Sequence, residues 1–332
     1  MKAIFMSSDL RNCDNVYVQK TRTQLSEKLE FLEPISNMRE LEVRADELNL
    51  VDFIFSTWGM LNLSKEQIAR YFKSLKAVFY GAGSVQGFAR PFIESNIAVF
   101  SAWAANAVPV AEYTVAQIIL ANKGYFQRFH RCSNDGWVNR SRGGYFTGNF
   151  NNKVGLIGIG MIGSLVAEML KAYMLDVLAY DKFLSDEKAA TLGVRKVPLE
   201  VLFSECTVIS NHLANNPQTV GMLDGKLFNL MKPNATFINT GRGAQIVEAD
   251  LISALEAEPN RVALLDVTMP EPPNPDSKFY KLDNVFLSPH IAGSLGNEVA
   301  RMGEYMAEEF ERYISGEQTK WGVSLKMLET MA

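Results

Sequence analysis

The sequence predicts an α/β protein of two domains, a doubly wound parallel sheet inserted in a second, smaller α/β domain. Short β-rich runs alternate with helical patterns along most of the chain. One of these runs leads directly into a glycine-rich turn and a helix, in K-V-G-L-I-G-I-G-M-I-G from Lys153. At 332 residues, 47% of them apolar, the chain exceeds the usual size of a single core and can fill two.

In the first hundred residues, strand candidates lie at 3–6, 51–56, 77–80 and 97–100, with less tidy helical patterns between them. The stretch 108–120, V-P-V-A-E-Y-T-V-A-Q-I-I-L, reads as a long apolar helix that carries the chain from one domain to the other, with enough apolar breadth for a dimer contact. Six further strands follow, at 154–157, 176–180, 207–210, 236–239, 262–266 and 285–287. Beyond them Val299, Met302, Met306, Phe310 and Tyr313 recur on one face of a helix at 298–314. That helix is expected to pack back on the first domain. The terminal domain is then discontinuous, 1–104 plus 294–332, with 105–293 inserted in it. Because the chain ends soon afterwards, no appended amino-acid-sensing domain is expected.

A net charge of −4 and the lack of a Lys/Arg run argue against nucleic acid or an anionic membrane as partner, which leaves small-molecule chemistry. The N-terminal apolar patch is too short for a signal peptide, and no window reaches the ~18 apolar residues of a membrane span, so a cytoplasmic location is expected. Cys13, Cys132 and Cys206 form no C-x-x-C and read as free thiols, with no metal site implied.

The glycine turn carries chemistry. An apolar strand, G-x-G-x-x-G at Gly158, Gly160 and Gly163, a helix, and a second strand ending in Asp181 form the layout of a Rossmann-type dinucleotide site. Gly158 permits the tight turn, Gly160 lets the backbone approach a pyrophosphate, and Gly163 lets helix and strand pack closely. The N–H groups near Met161 and Ile162 face the phosphates. Asp181, 23 residues after Gly158, is placed to accept hydrogen bonds from the adenosine ribose. A carboxylate there favours NAD over NADP, since it would repel a 2′-phosphate.

Three more motifs put polar residues at strand ends, where such a sheet opens to its ligand: I-N-T-G-R-G at 238–243, L-L-D-V-T-M-P-E-P at 264–272 and L-S-P-H-I-A-G at 287–293. With the glycine loop, in this order and spacing, they make the chain resemble the D-isomer-specific 2-hydroxyacid dehydrogenase family over roughly 107–293; the first hundred residues resemble it only loosely. The resemblance implies a Rossmann-type NAD domain inserted in a flavodoxin-like substrate domain, a homodimer and the D isomer. It points to Arg242 as the group holding the substrate carboxylate and carbonyl, to His290 as acid/base and to Glu271 as its partner. By the same resemblance Thr240, Gly241 and Asp266 line the nicotinamide, with Asp266 reaching its carboxamide, and Leu213 lies beside the adenine or ribose and contacts it mainly through main chain. Ala214 stands where the family usually has proline. In the first domain, Y-G-A-G-S-V-Q-G at 80–87 resembles the loop whose N–H groups bind the substrate carboxylate, which points to Gly83, Ser84 and Val85. The aspartate that often ends this motif is missing, with Phe88 or a neighbour in its place, and Trp58 reads either as a pocket wall or as core.

The chemistry calls for these residue types independently. Reducing a 2-keto acid places a hydride on carbon and a proton on oxygen, so a group titrating near neutrality must stand by the carbonyl, and histidine does that. A carboxylate beside a histidine favours its protonated form and fixes its tautomer. Arginine offers a planar fork that binds a carboxylate bidentately and polarises the neighbouring carbonyl. His130 and His212 read as structural. The sequence thus predicts an NAD-dependent enzyme that moves hydride to or from C2 of a small 2-keto or 2-hydroxy acid in a cleft between domains. A relative such as formate dehydrogenase is disfavoured by Glu271, because its pattern has glutamine there. The reading from another class is an NAD-sensing, corepressor-like binding protein on the same fold, whose relatives can keep all three catalytic residues.

Overall fold

The structure, a computed structural model, describes residues 1–134 and 145–329. The chain divides into two compact units, Met1–Ala107 with Ser294–Ala332, and Val108–Gly293. The first crossing lies three residues beyond the expected 104/105 boundary, because Ala105 still packs with Phe100 and Ala102 in the first core.

In the first unit, β1 (Lys2–Met6), β2 (Glu30–Phe31), β3 (Phe53–Ser56), β4 (Ala77–Tyr80) and β5 (Ala98–Ser101) form a parallel sheet in the order β2-β1-β3-β4-β5. This is the flavodoxin-like order. Its central strands are apolar on both faces, as a parallel sheet covered on two sides requires. In β3, Ile54 faces one core with Ile4, Val78 and Phe92, while Phe53 and Phe55 face the other with Phe79, Met306 and Phe310. The second face is closed by the helix Asn297–Ser315. Phe310 meets Phe53, Phe55 and Phe79 edge-on at 5.3–5.8 Å between ring centres. Gly303 lets this helix touch the end of the helix Leu10–Val16, for a Cβ there would lie 2.1 Å from the Val16 carbonyl oxygen. Its buried Glu309 accepts from the N–H groups of Lys320 and Trp321, both at 2.7 Å, and from Arg312 Nε at 2.8 Å, tying the C-terminal segment to this helix.

The second unit holds β6 (Phe150–Ile157), β7 (Met174–Tyr180), β8 (Arg195–Lys196), β9 (Val208–Asn211), β10 (Thr236–Asn239), β11 (Val262–Leu265) and β12 (Val285–Leu287). The parallel order is β12-β11-β10-β9-β6-β7-β8, so the strand order reverses between β6 and β9. Six strands were expected in this half and seven are found among the described residues. The addition is β8, as β2 is in the first unit. Both are two-residue edge strands, too short to show alternation. One face packs Val154, Leu156, Val208 and Ile238 against Ala111, Val115 and Ile118; the other packs Ile209 and Phe237 against Phe203, Leu251 and Leu255.

The expected helix at 108–120 runs from Trp103 to Asn122. By length and mean hydropathy alone, 1.2, it could cross a membrane, yet half of it is buried inside the protein, as in an ordinary core helix. Cys13 and Cys206 are free and buried, and burial pushes both thiols up to about 12, so they pack as neutral side chains. The side chains of His130 and Cys132 lie outside the described ones.

Candidate active site

In the second unit the polar residues stand at the C-terminal ends of the strands. β6 ends at Ile157 and the chain turns at Gly158, whose φ of +86° favours glycine. A Cβ on Gly158 would also lie 2.8 Å from the carbonyl carbon of His212, so the end of β9 closes this turn. A Cβ on Gly163 would lie 2.0 Å from the Gly158 carbonyl oxygen, which is the close helix-to-strand approach. On Gly160, by contrast, it would meet nothing within 4 Å. The loop is therefore open at the one glycine where a phosphate must approach. The helix Met161–Leu170 begins here, and its first N–H groups lack intrahelical partners. These features fit a dinucleotide pyrophosphate.

Asp181, following β7, accepts from Ile159 N and Phe183 N, both at 2.7 Å. Its carboxylate thus braces the glycine loop and still has free lone pairs. Lys188 Nζ donates to the Ile159 carbonyl at 2.9 Å on the same turn.

The His290 ring and Glu271 meet directly: Nδ1 is 2.6 Å from Oε1. A carboxylate only accepts, so Nδ1 carries the hydrogen and Nε2 is left to face a ligand. Both side chains are partly open to solvent. His290 adopts φ +54°, rare for a residue with a Cβ, so its turn must be held in place. Asp266 holds it. Its buried carboxylate accepts from Ser288 Oγ at 2.6 Å and from Ile291 N and Ala292 N at 2.9 Å, and its carbonyl accepts from His290 N at 3.0 Å. Tyr113 Oη lies 2.9 Å from Ser288 Oγ and extends the chain of hydrogen bonds. Three acceptor positions on Asp266 are thus already engaged by the 288–292 turn.

Arg242 follows β10 and is half-buried, with Nη1 donating to the Gly241 carbonyl at 2.7 Å. Burial lowers its pKa from the ordinary guanidinium value, and the nearby Glu271 carboxylate opposes that shift. Arginine remains a cation there. Glu271 thus acts on Arg242 through its charge and on His290 through a hydrogen bond, at one end of the sheet. Gly243 is needed for this, since a Cβ would lie 2.0 Å from the Thr268 carbonyl carbon.

Thr240 is buried, its Oγ1 3.3 Å from Thr114 Oγ1 and 3.4 Å from His212 Nδ1. Both main-chain groups of Leu213 are engaged within the protein: its N–H donates to Asn211 Oδ1 at 3.3 Å and its carbonyl accepts from Gln245 Nε2 at 2.7 Å. At Ala214 the carbonyl accepts from Thr219 Oγ1 at 2.7 Å, which closes that loop without a proline.

His212 is buried between Ser210 Oγ, 2.9 Å from Nε2, and Thr240. Burial pushes its pKa down to about 3. The folded protein keeps it neutral, whereas the unfolded chain titrates it near 6.5. Between these values the unfolded state binds more protons, so stability falls as pH drops from about 6.5 toward 3, by up to a few kcal/mol. We expect His212→Asn to flatten the decline of Tm between pH 7 and pH 4. An unchanged slope would show that the imidazole is charged in the folded state.

In the first unit, Gly83, Ser84 and Val85 follow β4. Ser101 Oγ holds this loop through the carbonyls of Ala82 at 2.9 Å and Gly83 at 2.7 Å. Val85 is fully buried and Ser84 is exposed. Among the described residues none of their three N–H groups has an acceptor. Trp58 follows β3, 40% exposed, its carbonyl accepting from Ser7 Oγ at 2.7 Å and Asn12 Nδ2 at 3.2 Å. It stands at the β1/β3 reversal of strand order, where this topology opens.

The reversal between β6 and β9, the open Gly160 and the helix start define a dinucleotide-binding α/β protein. Residues 115–292 match the family described as D-isomer specific 2-hydroxyacid dehydrogenase, NAD binding domain. The match covers more than half the chain, which belongs to this family, with the second unit as its NAD-binding domain. The chain is 32% identical over 237 residues to the D-3-phosphoglycerate dehydrogenase of Archaeoglobus fulgidus, covering 71% of this chain and 44% of that protein. It is 30% identical over 225 residues to that of Methanocaldococcus jannaschii, covering 68% and 42%. It therefore spans less than half the length of these relatives. Among solved structures, the NAD-complexed D-isomer specific 2-hydroxyacid dehydrogenase of Lactobacillus delbrueckii ssp. bulgaricus matches with a TM-score of 0.78 over 98% of this chain and 100% of that one, at 18% identity, a likeness of fold.

Residues to which the sequence alone assigned no role are Asn211, Asn239, Gln245, Ser288 and Tyr113. A signal was present for three of them, because Asn211, Asn239 and Ser288 are polar residues that close or follow apolar strands.

Proposed function

We propose that the protein is an NAD-dependent oxidoreductase that moves hydride between nicotinamide and C2 of a small 2-hydroxy or 2-keto acid, of the D series by its family. The observation that carries this reading is the 2.6 Å contact of His290 Nδ1 with Glu271 beside the half-buried Arg242, on the unit with the dinucleotide loop. Gly158, Gly160, Gly163, Met161 and Ile162 hold the pyrophosphate, and Asp181 the adenosine ribose. Bound NADH supplies the hydride. Arg242 binds the substrate carboxylate and polarises the C2 carbonyl. His290 gives its Nε2 proton to the oxygen at C2 and takes it back in the reverse direction, while Glu271 keeps the ring turned to that task. Thr240, Gly241 and Asp266 border the nicotinamide; Asp266 also holds the His290 turn. The N–H groups of Gly83, Ser84 and Val85 offer a second carboxylate contact, and Trp58 limits the side chain of the accepted acid. A homodimer is part of this reading, supported by the family and by exposed Leu120, Tyr125 and Phe129.

NADH oxidation should be followed at about 340 nm with glyoxylate, hydroxypyruvate, pyruvate, 2-ketoisocaproate, phenylpyruvate and oxaloacetate, and repeated with NADPH, the wavelength being the nicotinamide's own. Turnover of one or a few acids supports the reading. Silence across the panel despite NADH binding would favour the NAD-sensing alternative. Asp181→Ala is expected to relax the preference for NADH over NADPH and, because the residue braces Ile159, to raise the NADH KM as well. Asp181→Asn, which keeps an acceptor for that brace, should relax the preference with a smaller KM change. An unchanged ratio of the two kcat/KM values in both variants would reject the ribose role.

A further inference from the structure

We propose that Gln245 is a positioning residue for Arg242, acting with Asn211 through a buried amide cluster; the proposal rests on the reading of Arg242 as the substrate-binding group. Gln245, Asn211 and Asn239 are all fully buried. A buried amide is costly unless its polar atoms are paired, so the partners reveal what the cluster holds.

Gln245 Oε1 accepts from Arg242 N at 3.1 Å and from Asn211 Nδ2 at 2.6 Å, while its Nε2 donates to the Leu213 carbonyl at 2.7 Å. Asn211 Nδ2 also donates to Asn239 Oδ1 at 2.9 Å. Asn239 in turn accepts from Gly241 N at 3.1 Å and donates to the Arg242 carbonyl at 3.2 Å. The N–H of Gly241 and both main-chain groups of Arg242 are thus held by side chains. Among the described residues, every side-chain bond of Gln245 goes to Asn211, Leu213 or Arg242, and none goes to the helix Glu248–Ala257 that follows it.

Arg242 is extended, at φ −141° and ψ 149°. In extended backbone the side chain's direction follows the orientation of the flanking peptides, so rotating the 241–242 peptide would swing the guanidinium away. Gln245 resists that rotation. The cluster also explains Gly241, where a Cβ would lie 2.8 Å from Gln245 Oε1 and 2.9 Å from Asn211 Nδ2. Through the Leu213 carbonyl, the same side chain ties the end of β9 to the loop after β10.

The test compares Gln245→Met, Gln245→Glu and Arg242→Met in the full chain, using the keto acid of the panel with the highest kcat/KM. Gln245→Met keeps the side-chain length and loses every hydrogen bond. It should raise KM for the acid about tenfold or more, with a smaller fall in kcat and with the NADH Kd within about twofold. Gln245→Glu keeps the oxygen that Arg242 N–H needs and, as the neutral acid that burial favours, a donor for the Leu213 carbonyl, so it should recover much of the loss, which a merely space-filling role would not produce. If Gln245→Met keeps the wild-type KM while Arg242→Met loses substrate binding, the positioning role is overturned and Arg242 stands. If Arg242→Met also keeps the wild-type KM, the reading of Arg242 fails and the proposal with it. An equal loss of NADH affinity in Gln245→Met would mean general disruption and also count against positioning. Should these variants fail to fold, amide hydrogen exchange on the wild-type chain decides. The Gly241 and Arg242 amides should be protected like those of β10, and exchange at free-loop rates would overturn the proposal.

Discussion

Replacing His290 by alanine is expected to lower kcat for 2-keto acid reduction by about 10²- to 10⁴-fold while NADH binding stays at its wild-type value. The size follows from removing the proposed proton donor to the carbonyl oxygen. The ring has its Nδ1 committed to Glu271 at 2.6 Å, and its turn is fixed by the Asp266 carboxylate and carbonyl. Cofactor affinity is spared because the glycine loop and Asp181 are separate from this turn. Steady-state kinetics with a fluorescence titration of NADH separates the two quantities. Glu271→Gln should show a smaller loss, since an amide oxygen still accepts from Nδ1 but without charge. Wild-type turnover in His290→Ala would remove this residue from the mechanism.

The second large effect is expected at Arg242. Arg242→Lys keeps a cation but loses the planar fork, and a lysine at a bidentate site is not a conservative exchange. Removing one such charge-assisted hydrogen bond costs about 1.5–3 kcal/mol, so kcat/KM should fall by about 10- to 150-fold. Arg242→Met removes both bonds and the charge and should fall further. KM for the acid should rise, because the ground-state carboxylate loses its partner, and kcat should drop as well, because the carbonyl is no longer polarised. NADH affinity should change little. If kcat/KM for keto acids is retained in Arg242→Met, the substrate carboxylate is held elsewhere, and the unengaged N–H groups of Gly83, Ser84 and Val85 become the next group to test.

The sheets were legible because parallel strands covered on both faces are continuous apolar runs. F-I-F at 53–55 sends two rings to one core and Ile54 to the other, and no surface strand would be written that way. The edge strands Glu30–Phe31 and Arg195–Lys196 carry no such signature, since two residues pair without any period. The glycine loop was legible because backbone geometry sets its spacing: Gly158 needs a positive φ and Gly163 a close approach, whatever surrounds them. What sequence could not reveal is how the polar residues at the strand ends are wired. Asp266 in D-V-T reads as a ligand contact, yet three of its acceptor positions hold the 288–292 turn. Gln245 sits among apolar neighbours in A-Q-I-V, and only the folded chain brings it to Arg242 and Leu213, three residues away in one case and 32 in the other. Motif spacing is local, whereas the bonds that orient a motif depend on tertiary placement.

The most direct measurement is transfer of label. The protein is incubated with NADH carrying deuterium at both C4 positions of the nicotinamide and the best 2-keto acid of the panel, and the 2-hydroxy acid formed is analysed by mass spectrometry and chiral chromatography. One deuterium at C2, in a single enantiomer of the D series, is the predicted result. A hydroxy acid without deuterium, or NADH bound with no hydroxy acid formed from any member of the panel, would contradict hydride transfer to C2.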